Sequence, residues 1–181
     1  MIATDVERLE QVLREALMNE WEAQGHYMTG KVVNDLDIVV KQEANRIIIS
    51  GFTYPYGMIQ AAGVPANKIP FGGTAPRGQG KGGTSLYIEA LQRYAKNRMN
   101  IQDDKKSLSV AFAIAKTHKK EGMPTTGSYS FSQTGKRTQW IEDAFRSDEE
   151  NINAAISEMA FNVISVQFDT LINKWQYELN N

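Results

Sequence analysis

The sequence predicts an α+β fold, in which a small antiparallel β-sheet packs with an N-terminal helix and several C-terminal helices. Three observations predict it. Apolar residues first recur at the three- and four-residue spacing of a helix, then alternate with polar residues as in a strand, and return to helical spacing after residue 85. A length of 181 residues is typical of one domain. We therefore expect a single α+β domain over residues 1–181.

Local patterns predict the first helix and the hairpin that follows it. Thr4 and Glu7 match a capping box, in which each side chain satisfies a free backbone N–H, and apolar positions continue at helical spacing to Trp21. An antiparallel hairpin is predicted over residues 32–52, because two stretches rich in β-branched residues flank a turn at Asn45. This hairpin supplies the sheet of the predicted fold.

Residues 63–84 interrupt the regular patterns. They contain 7 of the 14 glycines and 3 of the 5 prolines of the chain. An irregular stretch of that length is uncommon inside a compact domain, where it usually serves a function or is disordered. We therefore expect an exposed, mobile arm at residues 63–84.

Four helices are predicted after this arm, over residues 85–99, 103–122, 140–145 and 148–179. Ser85 and Asp103 or Asp104 are predicted N-caps, and Gly122 is a predicted C-cap. The last helix has some thirty residues, which corresponds to a rod of about 45 Å. Because a chain of this size does not require such a length for its own core, we expect part of the apolar face to pack on another chain.

The net charge of −1 conceals a strong segregation of charge along the chain. Residues 1–63 carry 9 acidic and 5 basic side chains, residues 64–138 carry 4 and 13, and residues 139–181 carry 8 and 2. A basic middle between acidic ends predicts surfaces of opposite charge, either within one molecule or between copies of it.

The composition argues against several classes of site. The absence of cysteine excludes disulfides, thiolate nucleophiles and cysteine-ligated metals. No apolar run approaches the length of about 18 residues that a membrane span needs, and the N-terminus lacks the features of a signal peptide. His26 and His118 lie far apart in sequence without a nearby ligand set, so we expect no metal and no cofactor, and we interpret His118 as a helix-terminal cation.

Two further motifs have structural explanations. Residues 78–83 match G-x-G-x-x-G, but a dinucleotide site requires a preceding strand, which Pro70 and Pro76 argue against. Lys81 is followed by glycine, so the stretch is not a P-loop either. The acidic groups at residues 103–104 and 148–150 lie at predicted helix starts, where carboxylates cap free N–H groups. We therefore predict no catalytic residues and no enzymatic activity.

Basic side chains flank a second polar loop, at residues 123–138, which contains Tyr129 and Phe131. The flanking cations are Lys116, Lys119, Lys120, Lys136 and Arg137. Cations interleaved with aromatic side chains are typical of surfaces that bind single-stranded nucleic acid, and equally of salt-sensitive contacts between proteins. The residues leave both interpretations open.

Two stretches resemble a known family. The first stretch is residues 56–64, followed by Lys68-Ile69-Pro70-Phe71. It resembles a passage in the tail-completion proteins of tailed bacteriophages, also called neck or head–tail connector proteins. In that passage a tyrosine is followed by a short helix, a glycine, and then a proline next to an aromatic residue. The helix and hairpin before them are similar to that family's layout. Residues 111–116 and 122–128 resemble segments of structural proteins in phages and prophages of Bacteroidetes-type hosts. As a layout, the resemblance covers residues 4–145.

The resemblance implies a non-enzymatic virion structural protein that forms a homo-oligomeric ring between portal and tail. Its partners would be its own copies and other neck, portal or tail proteins, with DNA contacted non-specifically in the lumen. It would be assembled in the host bacterial cytoplasm and reside in the neck or tail of the virion, with no membrane partner and no small-molecule substrate. The predicted assembly residues are Arg77, Lys81, Tyr129, Phe131, Lys136, Arg137, Trp140 and Trp175. A nucleic-acid-binding module that uses residues 64–138 is the alternative.

Overall fold

The computed structural model describes residues 2–26, 31–43, 46–71 and 85–179, and these residues form seven α-helices and one two-stranded sheet. The predicted α+β class is confirmed. The elements are α1 (Ile2–Ala23), α2 (Lys31–Asn34), β1 (Asp37–Glu43), β2 (Arg46–Phe52), α3 (Pro55–Ala62), α4 (Leu86–Arg98), α5 (Asp104–Glu121), α6 (Trp140–Ser147) and α7 (Glu149–Leu179). Two 3-10 helices cover Ala66–Lys68 and Thr126–Phe131.

The described residues divide into two compact units, each assembled from separate stretches of chain. The terminal unit contains residues 2–22, 31–43, 46–55 and 140–179, and the central unit contains residues 23–26, 56–71 and 85–139. The two ends of the chain thus fold with the hairpin, and the middle of the chain folds on itself. That the whole chain acts as one domain stays a prediction.

In the terminal unit, β1 and β2 pair antiparallel, with Asp37 opposite Phe52 and Glu43 opposite Arg46. The strand β1 presents Ile38 and Val40 to the core, since these alternate positions are buried. The Glu10 carboxylate of α1 accepts a hydrogen bond from the backbone N–H of Val40 at 2.9 Å. The apolar face of α1 and the inner face of β1 therefore form one core.

Two predicted boundaries in this unit are wrong. Val32 lies in α2, where the N–H of Asp35 donates to the carbonyl of Lys31 at 2.8 Å, and the first strand begins only at Asp37. The predicted strand included residues 32–36 because a helix of only four residues is too short to show the 3.6-residue spacing that identifies a helix. Helix α1 begins at Ile2, so Thr4 lies inside it and not at the predicted N-cap position.

The central unit is built on α4 and α5, whose caps match the predicted ones. The Ser85 hydroxyl accepts from the N–H of Ile88 at 3.3 Å, and the Asp103 carboxylate accepts from the N–H of Lys106 at 2.8 Å. Gly122 ends α5 with a φ of +87°, a conformation that favours glycine. Ile88, Ala111 and Ala115 are buried between the two helices, which form a local core.

Residues 63–71 do not belong to an exposed arm. Val64 and Met123 exchange two backbone hydrogen bonds, of 2.7 and 2.8 Å, and the side chain of Ile69 is buried. These contacts attach the stretch to the end of α5, which corrects the predicted arm at 63–84 for its first nine residues. The remainder of that predicted arm, residues 72–84, lies outside the described residues and includes the G-x-G-x-x-G motif.

Candidate functional site

Folding preserves the segregation of charge that the sequence shows. The terminal unit collects 17 acidic and 7 basic side chains, because both acidic ends of the chain belong to it. The described part of the central unit contains 4 acidic and 11 basic side chains. Each unit therefore has a strong net charge of its own, and the two signs are opposite.

Helix α7 joins the core of the terminal unit only through its first half. Ile152, Ala155 and Met159 are buried, and Met159 has 0% of its surface exposed. The Asn162 amide donates to the Asp5 carboxylate at 2.9 Å, which fixes this part of α7 to α1. Every residue from 164 to 177 is exposed. The exposed stretch thus corresponds to about four turns of helix.

The exposed half of α7 has an apolar stripe, which we define as Phe161, Ile164, Phe168, Leu171, Ile172 and Trp175. Between 46% and 69% of the surface of each of these residues is exposed. Five of them are spaced alternately three and four residues apart, which is the a/d pattern of a coiled-coil seam. At about 100° per residue, the stripe lies on the side of α7 opposite to Met159. It is therefore not a continuation of the core face.

The predicted assembly residues have different positions in the structure. Trp175 belongs to the apolar stripe and is 63% exposed. In the central unit, Tyr129 is 41% exposed and Phe131 72% exposed, both in the 3-10 helix Thr126–Phe131. Arg77 and Lys81 lie outside the described residues.

Trp140 was predicted at an interface, but its side chain is only 1% exposed. Its ring packs edge-on against that of Trp21, with 5.0 Å between ring centroids, so it belongs to the core of the terminal unit. The local sequence around a tryptophan at the start of a short helix does not show whether its ring packs against residues of the same chain or of another chain. Trp140 is therefore removed from the predicted assembly surface.

Lys136 and Arg137 are neighbours in sequence but differ in exposure. Lys136 is exposed, whereas Arg137 is half-buried. The Nη1 group of Arg137 donates to the carbonyl oxygens of Gln24 and Gly25, both at 2.9 Å. Arg137 thus holds the chain that leaves α1 against the loop before α6, instead of facing solvent as predicted.

Arg137 also lines a small open cavity of about 60 Å³ within the central unit. Its other lining side chains are those of His26, Tyr56, Gln60, Tyr94 and Arg98, together with the backbone of Gly25. Four of these side chains form two pairs that are four residues apart and so share a helix face: Tyr56 with Gln60 on α3, and Tyr94 with Arg98 on α4. That spacing was the only sequence signal for the cavity.

Burial and charge determine the protonation of the groups around this cavity. Burial, assisted by the positive charge of Arg137, lowers the pKa of His26 to about 4, so this imidazole is neutral at pH 7. Burial raises the pKa of the Tyr56 hydroxyl, so the phenol keeps its proton. Burial also lowers the pKa of Arg137 from its usual high value, but a guanidinium stays charged at neutral pH. The charge of the cavity at pH 7 is therefore that of its two arginines.

The remaining candidate motifs behave as structural groups. The Asp148 carboxylate accepts from the Asn151 amide at 2.6 Å at the start of α7. His118 contacts the hydroxyl of Tyr87, and burial lowers the pKa of this histidine, which disfavours the helix-terminal cation predicted for it.

Among the described residues, no three His, Asp or Glu side chains are arranged to hold a metal ion. In the same part of the chain, no helix is long and apolar enough to cross a membrane.

Comparison with protein-family models, with curated proteins and with solved structures finds no match to this chain. The site residues are therefore interpreted from their own geometry.

The anchoring of Arg137 predicts an unusually strict requirement for glycine at position 25. Gly25 has a φ of +71°, and a Cβ atom there would lie 2.2 Å from the carbonyl oxygen of Phe131 and 2.7 Å from Nη1 of Arg137. We expect Gly25→Ala to lower the free energy of unfolding by more than the roughly 1–2 kcal/mol that a left-handed conformation costs an alanine. Urea denaturation followed by circular dichroism measures the loss.

Gly135 provides the matched control for this substitution. It has the same φ of +71°, but a Cβ atom there would have no neighbour within 4 Å. We expect Gly135→Ala to lose only the conformational part, about 1–2 kcal/mol. Equal losses for the two variants would show that the close approach of Phe131 and Arg137 to Gly25 has no energetic weight.

The pKa of His26 predicts a fall in stability on acidification. Because the histidine binds its proton at pH 6.5 when unfolded but only at about 4 when folded, the unfolded state takes up the proton first. This contribution is complete above pH 6.5 and is lost between pH 6.5 and 4, to a limit of about 3 kcal/mol. Urea denaturation at several pH values, compared between the wild type and His26→Gln, isolates it. A difference between the two proteins that does not vary with pH would contradict the prediction.

Proposed function

We propose that this protein is a non-enzymatic structural subunit of the neck, or head–tail connector, of a tailed bacteriophage, and that it acts by forming a ring with its own copies. The observation that carries the proposal is the apolar stripe on α7. The resemblance of residues 56–71 to tail-completion proteins supplies the biological setting. The ring would lie in the neck of the virion, with portal and tail proteins as its other partners.

The stripe has the properties of a surface that becomes buried on assembly. Burial of one large apolar side chain contributes about 1.5–3 kcal/mol, and the stripe presents six of them on one side of an isolated helix. Contiguous apolar patches that stay exposed in a single chain usually mark interaction sites. We therefore expect α7 to be covered in the functional state.

A second copy of the same helix is the occupant that best fits the stripe. The a/d spacing is one with which helices pack on each other, and of the polar flanking positions Ser165 and Gln167 are uncharged and Lys174 carries one positive charge. Ile172 adds an apolar side chain beside the seam and widens it beyond a strict two-helix stripe. A wider stripe allows each helix to contact two neighbours, which is the condition for a closed ring.

The opposite charges of the two units support the same arrangement. In a ring, each subunit contacts the next through two different surfaces, and these have to be complementary. An acidic terminal unit beside the basic central unit of the next copy satisfies that condition. Tyr129 and Phe131, both exposed on the central unit, are suited to this second contact.

The stripe predicts that Phe168→Glu prevents self-association. A carboxylate at the centre of the stripe would be desolvated at the interface, so we expect the variant to stay monomeric under conditions where the wild type forms oligomers. Asn173→Glu is the matched control, because Asn173 is exposed on the other side of the same helix. Sedimentation velocity gives the oligomeric state, and negative-stain electron microscopy of the wild type shows whether the oligomers are rings.

Equal association of both variants would contradict the role of the stripe. A wild-type protein that remains monomeric at high concentration, and that is absent from purified phage particles, would contradict the proposed function itself.

The charge of the central unit favours one alternative, a nucleic-acid-binding module that uses residues 64–138. Its described residues carry 11 basic and 4 acidic side chains, with Tyr129 and Phe131 exposed for stacking on bases. If this alternative is correct, affinity for single-stranded DNA falls steeply with salt, with a logarithmic slope of about −0.7 for each phosphate contacted.

A fluorescence titration with a labelled oligonucleotide at several salt concentrations measures this slope. Replacing Lys119 and Lys120 by glutamine should make it less steep, whereas replacing Lys41 and Arg46, which are exposed on the terminal unit, should not. Absence of binding at low salt would exclude the alternative.

A further inference from the structure

We propose that the cavity in the central unit is a binding site for a phosphate group, supplied either by the free anion or by a nucleic-acid backbone. The inference goes beyond assembly, because none of the lining residues belongs to α7. It rests on the size of the cavity, on its charge, and on the hydrogen-bond donors carried by the side chains that line it.

The cavity has room for a small polyatomic ligand. Its volume of about 60 Å³ is several times the 10–15 Å³ or so that one water molecule requires. It is open on one side, so an anion can enter it, and a phosphate that is attached to a longer molecule can extend outward.

The charge of the lining selects an anion. Arg98 and Arg137 both line the cavity, and no carboxylate lines it. Among the described residues, neither guanidinium forms an ion pair with an acidic side chain, although five such pairs occur elsewhere in the described chain. His26 is neutral at pH 7 because burial and Arg137 lower its pKa to about 4. A bound anion would supply the missing negative charge.

Arg137 has one donor that its own structure does not use. Its Nη1 group is occupied by the carbonyl oxygens of Gln24 and Gly25. Its Nε atom is buried and has no hydrogen-bond partner among the described residues. A buried donor without an acceptor is unfavourable, and a guanidinium forms its strongest hydrogen bonds with carboxylate or phosphate oxygens. An oxyanion is therefore the ligand class that the guanidinium group of Arg137 recognises best.

The number and origin of the donors favour phosphate over carboxylate. The Tyr56 hydroxyl accepts a hydrogen bond from the Gln60 amide, so its own hydrogen stays available to a ligand. Tyr94 contributes a second phenol and Arg98 a second guanidinium, both from α4. The donors among the lining side chains thus belong to α3, α4 and the loop before α6. A phosphate has oxygens in several directions, whereas a carboxylate has only two, which lie in one plane.

Isothermal titration calorimetry with inorganic phosphate tests the site, at an ionic strength held constant with sodium chloride. We expect saturable binding to the wild-type chain and at least a tenfold weaker affinity for Arg137→Gln and for Arg98→Gln, since each removes charge-assisted hydrogen bonds worth about that factor. Arg93→Gln is the matched control, because Arg93 is exposed on the same helix but does not line the cavity. Its affinity should equal that of the wild type.

Arg98→Gln keeps the test decisive if Arg137→Gln disturbs the fold, because Arg98 is exposed and forms no hydrogen bond with another side chain among the described residues. Absence of saturable binding to the wild type, or equal affinities for the wild type and Arg98→Gln, would overturn the inference. Acetate that binds as tightly as phosphate would overturn the choice of phosphate.

A second titration identifies the source of the phosphate. A thymidine oligonucleotide that competes with inorganic phosphate, and that loses affinity in Arg98→Gln but not in Arg93→Gln, would support a backbone phosphate. Binding of inorganic phosphate without such competition would support the free anion. Neither result depends on the oligomeric state of the protein. A negative phosphate titration would therefore contradict the phosphate site and leave the proposed ring untouched, and a monomeric protein would contradict the ring and leave the phosphate site untouched.

Discussion

The packing of Met159 against the core of the terminal unit determines what the rest of α7 can do. A helix has a fixed rotation per residue, so once one side is buried near Met159, the positions of all later side chains follow. The ion pair between Arg8 and Glu158 and the contact between Asn162 and Asp5 fix that rotation at the point where α7 leaves α1. The apolar stripe consequently has a defined direction on the terminal unit. An exposed surface with a fixed direction can set the geometry of an assembly, which a loosely attached helix cannot do.

Arg137 has a comparable position in the central unit. Its guanidinium connects the chain after α1 with the loop before α6, and the same group lines the cavity. The close approach of Gly25 to this side chain leaves no space for another residue type at position 25. Because the arginine is fixed by two carbonyl oxygens, it would not have to be ordered again when a ligand enters. Fixation of this kind lowers the entropic cost of binding.

The sequence predicted correctly those features that involve residues close together in the chain, and it failed for features that depend on residues far apart. The caps at Ser85, Asp103 and Gly122 involve neighbouring residues only, and the structure confirms them. The burial of Trp140 depends on Trp21, more than a hundred residues away, so no local pattern could separate a core residue from an interface residue. The length of α7 predicted that part of its apolar face packs on another chain, but the residues that form the stripe, and its direction, required the position of Met159. The cavity was missed because its residues come from four separate stretches of chain.

The paired backbone of Val64 and Met123 has a consequence for how the molecule can change over evolution. Two reciprocal hydrogen bonds bring these positions together, so the segment between them begins and ends at one place within the central unit. Residues 65–122, which include α4 and α5, therefore form a segment whose two ends are adjacent. Segments with adjacent ends can be lengthened, exchanged or replaced without moving the chain on either side. We expect changes in the length of this segment to leave the pairing of Val64 and Met123 in place.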